Sequence, residues 1–433
     1  MTEEDSLVRK LDLSEREKIV RNVITAKGVS IADLVEQGKT PYLEMASRST
    51  SNITFSEKKR RYVIMDKKSR RSMINVAHLR KMAQSLWVMK FSNDLITMGR
   101  TETLRGLYYS SESFLAKFFD NQDQSNGVVV DTEAMLGYAR EDFHINPASR
   151  GTVFGDVDVR MTDPITGERR DLNLGINPDG QAIGPRLIRS ELLDTSAERV
   201  IALETDGMYN RLVEERVHEN FNTVLVGLMG QATRGARRLL RRFSDPKSEG
   251  GLELPVYVFV DGDVWGEHIA TVIKYGSAEA AHIEGLACPD AQWLGVYATD
   301  IERYDLPYDK FNKQDLKRCR DLLYGSKGPP RKDWEKKETV LNNQKPKGKL
   351  SAEEVQLKKR AFSKGKRRKK QRNYLPADPR YDRIRAKKER EELFRFWCIQ
   401  RKSEQQAFNA KGKIDYVVKE FLPSRFAELG VTI

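Results

Sequence analysis

Cysteine is scarce here: Cys288, Cys319 and Cys398 are the only three in 433 residues. Three scattered thiols supply neither a disulfide framework nor a CxxC zinc motif, so a reducing compartment is expected. The five histidines show no metal-ligand spacing. No GxxxxGK[ST] loop is present, so the chain is not expected to hydrolyse ATP itself. No apolar run approaches the ~18 residues of a membrane span; the strongest, residues 254–260, is seven long. The opening MTEEDSLVRK is acidic and polar, with no signal-peptide pattern, and no repeat of solenoid length is apparent. What is left is a soluble, cytoplasmic protein of two or three domains whose chemistry rests on carboxylates, tyrosines and arginines.

Charge is abundant but unevenly placed. The net charge is +13, and residues 326–372 carry 18 Lys+Arg against 5 Asp+Glu, which leaves 58 of each sign elsewhere. The whole excess sits in one Gly-, Pro- and Gln-containing stretch with runs such as KGKRRKK, expected to be a flexible basic loop. Any nucleic-acid surface on the folded body must therefore come from the arrangement of charges, not their sum.

Two rhythms divide the rest. Residues 14–37 read as a helix, followed by strand patterns at 52–55 and 61–64. Helical spacing returns over 75–98 (Val76, Leu79, Met82, Leu86, Met89) and again from Leu104 through the YYSSE stretch. A short helix and a strand-like Gly127-Val-Val-Val follow, and compact helices closing on a small β element predict a winged-helix unit. Residues 154–174 alternate as a hairpin. From 199 onward, strands at 199–203, 223–226 and 256–260 alternate with helices at 208–220, 231–243 and 267–275. Near-continuous apolar strands in that order predict a parallel sheet covered on both faces, so the fold class is α/β, or α+β overall. Residues 379–407 regain helical periodicity, and the apolar 416–422 is expected to dock on the α/β body.

In an open α/β sheet, ligands collect at the carboxyl ends of the strands. Glu204 ends one strand, and Asp261-Gly-Asp263 ends another. Three converging carboxylates repel unless a cation shares them, and hard oxygen donors suit Mg²⁺. The competing explanation is helix capping, which accounts for one of the two aspartates but not for the full set. Asp156-Val-Asp158 has the same spacing, but it lies on the polar face of the hairpin and needs no metal. Arg105 stands one helical turn before Tyr109 in LRGLYYSSE. A phenol is a poor nucleophile unless a base or cation assists it. Tyrosine beside a metal is the equipment for breaking a phosphodiester through a covalent intermediate. Arg234, Arg237 and Arg238 form a helical basic stripe that suits either phosphate or a set of acidic partners.

Several stretches together, PYLEMASRSTSNI, DKKSRRSMINVAHLRKMAQ, TLRGLYYSSE, ALETDGMYNRL, YVFVDGDVWG, VIKYGS and KSEQQAF, resemble in content and order the A subunits of type IIB DNA topoisomerases (the topoisomerase VI family) and their relatives, the meiotic double-strand-break transesterases. The resemblance spans about 40–325 and resumes from 376. It implies an N-terminal arm (1–68), a winged-helix, CAP-like domain (69–150), a connecting hairpin region (151–195), a Toprim domain (196–325), a basic insertion (326–372) and a C-terminal segment packed on the Toprim domain (373–433). By motif, Tyr109 is the nucleophile, Arg105 its supporting arginine, and Glu204, Asp261 and Asp263 the Mg²⁺ ligands; the arginine stripe is then expected to touch DNA. The family's Gly-Lys-Gly-Gln reads Leu228-Met229-Gly230-Gln231 here, and Val264 replaces its usual proline. The resemblance further implies double-stranded DNA, a homodimer, a GHKL-type ATPase B subunit that binds the ATP in an A2B2 assembly, and a nucleoid location in an archaeal-type cell. A break-forming or stand-alone relative would use the same residues; a silent DNA-binding scaffold has no need of all three acids and the tyrosine together.

Overall fold

The computed structural model describes residues 15–115, 117–147, 149–163, 166–177, 179–324, 387–412 and 415–432. The basic stretch 326–372 lies outside the described residues.

A six-stranded sheet forms the centre, in the spatial order Gln181–Ala182, Thr152–Phe154, Thr223–Gly227, Arg199–Leu203, Val256–Phe259, Gln292–Gly295. The last four strands are parallel, and the first two add as an antiparallel edge. Every residue of Arg199–Leu203, Thr223–Gly227 and Val256–Phe259 is buried. Alternation explains the unbroken apolar runs. Val200 and Ala202 face one core with the helices Arg234–Ser244 and Val264–Tyr275. Ile201 and Leu203 face another with the helix Asp206–Glu214 and the C-terminal residues Phe421, Leu422 and Phe426. The chain thus leaves strand Arg199–Leu203 toward one neighbour and comes back to its other side. That makes the gap between Arg199–Leu203 and Val256–Phe259 a topological switch point, where open α/β sheets bind ligands.

The N-terminal half is a second core. Val20 and Ile24 of the first helix (Glu15–Glu36), Leu43 and Met45 of the strand Tyr42–Ala46, and Met82, Leu107, Val128 and Phe143 pack together. Residues from the expected arm therefore share a core with the helices Val76–Thr97, Leu104–Phe114 and Gln122–Leu136. The strand-like Gly127-Val-Val-Val is a correction: it lies inside Gln122–Leu136. Asn121 caps that helix by accepting from the Gln124 amide at 2.9 Å, Gly137 closes it at φ 76°, and Val128, Val129, Thr132 and Leu136 are buried along it. Packing on one helical face and strong caps override the β preference of three valines. The hairpin Ile53–Ser56/Arg61–Ile64 reaches across to the sheet domain, with Phe55 edge-on to Tyr275 at 5.9 Å and Arg61 paired to Glu284 at 2.7 Å.

Candidate active site

The helix Leu104–Phe114 begins at Thr103, whose Oγ1 accepts from the Gly106 amide at 2.9 Å. Helical rotation then separates the adjacent tyrosines. Tyr108 packs against the N-terminal core, whereas Tyr109 is 55% exposed. Arg105, four residues earlier on the same face, donates from Nη2 to the Tyr109 hydroxyl at 3.2 Å. The arginine puts a hydrogen-bond donor and a positive charge beside the phenol oxygen, and it leaves that oxygen at the surface where a large substrate can reach it.

The carboxylates sit at the switch point. Leu203 is level with Phe259 in the parallel register, so Glu204 ends its strand one residue short of the level of Asp261 on the next. The Asp261 amide donates to Glu204 Oε2 at 3.0 Å, and the Gln405 amide donates to Asp261 Oδ1 at 2.9 Å. Asp263 starts the helix Val264–Tyr275: its Oδ1 accepts from the amides of Trp265 at 2.8 Å and Gly266 at 2.7 Å. The turn is tight enough that a Cβ on Gly266 would stand 2.3 Å from the Asp261 carbonyl. Burial, reinforced by the Asp261 charge, pushes the Glu204 carboxyl up to about 8. Burial also raises Asp261, to about 6, against the pull of the Gln405 amide, and Asp263 is raised for the same primary reason.

Capping is therefore real for Asp263, but it uses one oxygen and leaves the other. Glu204 and Asp261 are likewise each anchored through one oxygen by a backbone amide. Desolvated, mutually repelling carboxylates with an oxygen to spare are the donor chemistry that a hard divalent cation stabilises. Among the described residues, no three His, Cys, Asp or Glu side chains already surround one point as a finished cation site. The donors fit a hard divalent cation in kind and in place. Two residues beside them have no role assigned from the sequence: Asp315, held by Trp265 Nε1 at 3.0 Å and Lys402 Nζ at 3.1 Å, and Gln405 itself. KSEQQAF marked the second of these as part of a motif without giving it a task.

The arginine stripe is elsewhere. Arg234 forms ion pairs with Glu133 at 2.6 Å and Glu141 at 3.0 Å, and Arg238 pairs with Asp142 at 3.0 Å. Arg237 is buried, its Nε and Nη1 lack hydrogen-bond partners, and burial together with Arg234 pushes it down to about 10. The acids come from the N-terminal half. Arg234 and Arg238 of the stripe expected to meet DNA phosphate thus join the two halves of the chain; charge spacing along a helix does not say which acids it meets. The Asp156/Asp158 pair is bound by Asn173 Nδ2 at 2.6 and 2.9 Å; Asp158 opens the strand Asp158–Thr162, whereas Asp156 lies in the bend before it and not on the strand face expected for it.

Two family models match this chain: one described as the Toprim domain of Spo11 and of the topoisomerase 6 A subunit, over residues 199–356, and one described as type IIB DNA topoisomerase, over residues 80–145. The A subunit of a type 2 DNA topoisomerase 6 from Archaeoglobus fulgidus is 34% identical over 404 residues, covering 93% of this chain and 95% of its own. The chain belongs to the topoisomerase 6 A-subunit family. It is an enzyme, a topoisomerase. Other A subunits of the family match over shorter and longer spans: that of Methanothermobacter thermautotrophicus is 43% identical over 310 residues, 71% of this chain and 85% of its own, and that of Halobacterium salinarum 31% over 423 residues, 95% and 96%. The Toprim match contains all three carboxylates and the type IIB match contains Arg105 and Tyr109.

Proposed function

We propose that this chain is the DNA-cleaving subunit of an ATP-dependent type IIB topoisomerase, acting on double-stranded DNA as a homodimer joined to two GHKL-type B subunits. Its place would be the nucleoid of an archaeal-type cell, and no helix among the described residues is long and apolar enough to cross a membrane. The reading is carried by one observation: an exposed tyrosine with an arginine on its hydroxyl, in a fold whose sheet presents desolvated carboxylates at the switch point. Among the described residues no hydrogen bond or ring contact joins Tyr109 to those carboxylates. In this reading the tyrosine of one protomer serves the carboxylates of its partner.

The Tyr109 oxygen attacks a backbone phosphorus, forming an O–P bond as the P–O3′ bond breaks. The phenol gives up its proton and the departing 3′ oxygen takes one up, leaving a 5′-phosphotyrosyl link and a 3′-hydroxyl. Arg105 holds the phenol oxygen and stabilises charge on it and on the phosphate. Glu204, Asp261 and the second oxygen of Asp263 would hold Mg²⁺, whose charge when bound would stabilise the phosphate oxygens. A second duplex passes through the break, and the reverse step reseals it. The missing GxxxxGK[ST] loop fits nucleotide binding on the B subunit.

The test uses the chain with a B-type partner, Mg²⁺, a non-hydrolysable ATP analogue and supercoiled plasmid, quenched with denaturant. Protein attached covalently to DNA 5′ ends, absent with Tyr109→Phe, is the expected result. An adduct that persists in that variant overturns the assignment.

A further inference from the structure

Residues 401–406 lie far along the chain from the strand ends, yet they close over them. Gly262, between the two aspartates, exchanges a pair of backbone hydrogen bonds with Ser403: its amide donates to the Ser403 carbonyl at 2.7 Å, and the Ser403 amide returns one at 3.0 Å. The approach is close, since a Cβ on Gly262 would stand 3.1 Å from the Ser403 carbonyl. Two residues on, the Gln405 amide donates to Asp261 Oδ1 at 2.9 Å across 144 positions of sequence. The side chains then grip the neighbouring strand end. Thr205, next to Glu204, donates from Oγ1 to Gln405 Oε1 at 2.8 Å and accepts from Gln406 Nε2 at 3.1 Å. Lys402 Nζ and Trp265 Nε1 share Asp315 beneath the same turn.

We infer that residues 402–406 form a positioning strap for the carboxylate site, in which the Gln405 amide fixes Asp261 so that its other oxygen faces a divalent cation. This rests on the metal reading given above. Three features support it. First, the strap's hydrogen bonds to Gly262, Asp261 and Thr205 each reach a residue within one position of Glu204, Asp261 or Asp263, and Lys402 reaches Asp315 beside them, while Ser403 Oγ on the Pro307 carbonyl at 2.7 Å and the Lys402–Asp309 strand pairing tie the strap down from the other side. Second, an amide on one oxygen of a carboxylate restricts rotation of the whole group, which is what a preformed ligand requires. Third, Gln405 is fully buried with Nε2 lacking a hydrogen-bond partner, and Gln406 Oε1 is likewise buried without one. Half-satisfied buried amides cost stability and are found where a function retains them.

The probe is Mn²⁺, followed by loss of the free-ion electron paramagnetic resonance signal as the full chain is added, so binding is read without DNA or turnover. Wild type, Asp261→Asn, Gln405→Pro, Gln405→Ala and Thr205→Val are compared, each with a thermal unfolding scan in chelator. Proline removes the amide N–H that alanine keeps. Loss of one charge-assisted hydrogen bond predicts about a tenfold rise in the Mn²⁺ Kd for Gln405→Pro, against about threefold or less for Gln405→Ala. Asp261→Asn should weaken binding more than either. If Gln405→Pro binds like wild type while Asp261→Asn does not, the metal site stands and the strap does not. If wild type takes up no Mn²⁺, or Asp261→Asn binds it equally well, the metal reading fails and the strap falls with it. Should Gln405→Pro be unfolded in chelator, Thr205→Val decides: a raised Kd in a folded protein supports the strap, and an unchanged one overturns it.

Discussion

The Asp261 amide donates to Glu204 Oε2 at 3.0 Å, tying the ends of two parallel strands 57 positions apart in sequence. The bond makes each acid part of the other's environment. Burial, and after it the neighbouring Asp261 charge, drive the Glu204 carboxyl up to about 8, against the downward pull of the Asp261 amide. A dication between them reverses the sign of that interaction, from repulsion between two acids to attraction by a shared ion.

Tyr109 and Tyr108 should separate cleanly. Tyr109→Phe removes only the reacting oxygen of an exposed ring, so the covalent adduct is lost while DNA binding and thermal stability stay near wild type. Tyr108→Phe retains the adduct. Arg105→Ala should slow cleavage by about 10²–10³-fold, the cost of removing one preorganised charge donor. A denatured-gel assay for DNA-linked protein reads all three, and loss of the adduct in Tyr108→Phe alone would move the nucleophile by one residue.

Asp263 has two jobs that one substitution can tell apart. Asparagine caps a helix about as well as aspartate, so Asp263→Asn should keep stability within about 0.5 kcal/mol, whereas Asp263→Ala loses about 0.5–2 kcal/mol. Both should lower Mg²⁺-dependent cleavage. Full cleavage by Asp263→Asn would reduce Asp263 to a cap.

Glu133 anchors the contact between the two halves. Burial would raise its carboxyl, but Arg234 and His282 outweigh burial and hold it at about 2. A depressed folded value adds stability above the unfolded value near 4.5, and that stability is lost as pH falls toward 2. Unfolding followed between pH 6 and 2 should therefore show a drop that Glu133→Gln makes smaller, the remainder coming from other paired carboxylates such as Asp142. At neutral pH, Glu133→Gln should cost about 3–5 kcal/mol, because Arg234 and the unpaired Arg237 stay buried with less opposing charge. A melting temperature unchanged at pH 7 would sink this account.

The basic stretch 326–372 carries a net +13. Each phosphate it neutralises steepens the salt dependence of DNA binding by ~0.9 in log–log slope on duplex. Deleting it should weaken DNA binding and flatten that slope while cleavage persists; an identical slope would leave the stretch as a spacer.

Some of this was written in local sequence. Alternating apolar strands and amphipathic helices named the doubly covered sheet, because burial on both faces leaves a continuous Val/Ile/Leu signature such as 256–260. A strand-end position gave Glu204, Asp261 and Asp263, since topology alone places those ends at a ligand crevice. Adjacent tyrosines on a helix point to different faces, and here Tyr108 packs while Tyr109 is exposed. Other features needed the folded chain. Gly127-Val-Val-Val became helix because its caps and its buried face outweigh three β-branched residues. Arg234 and Arg238 became an intramolecular seam because their acids, Glu133, Glu141 and Asp142, lie about 100 positions away. Gln405 reached Asp261 from the far end of the chain. Periodicity and propensity are local properties that a sequence displays directly; the partner of a charge, and the amide that orients a carboxylate, are long-range and exist only once the chain has folded.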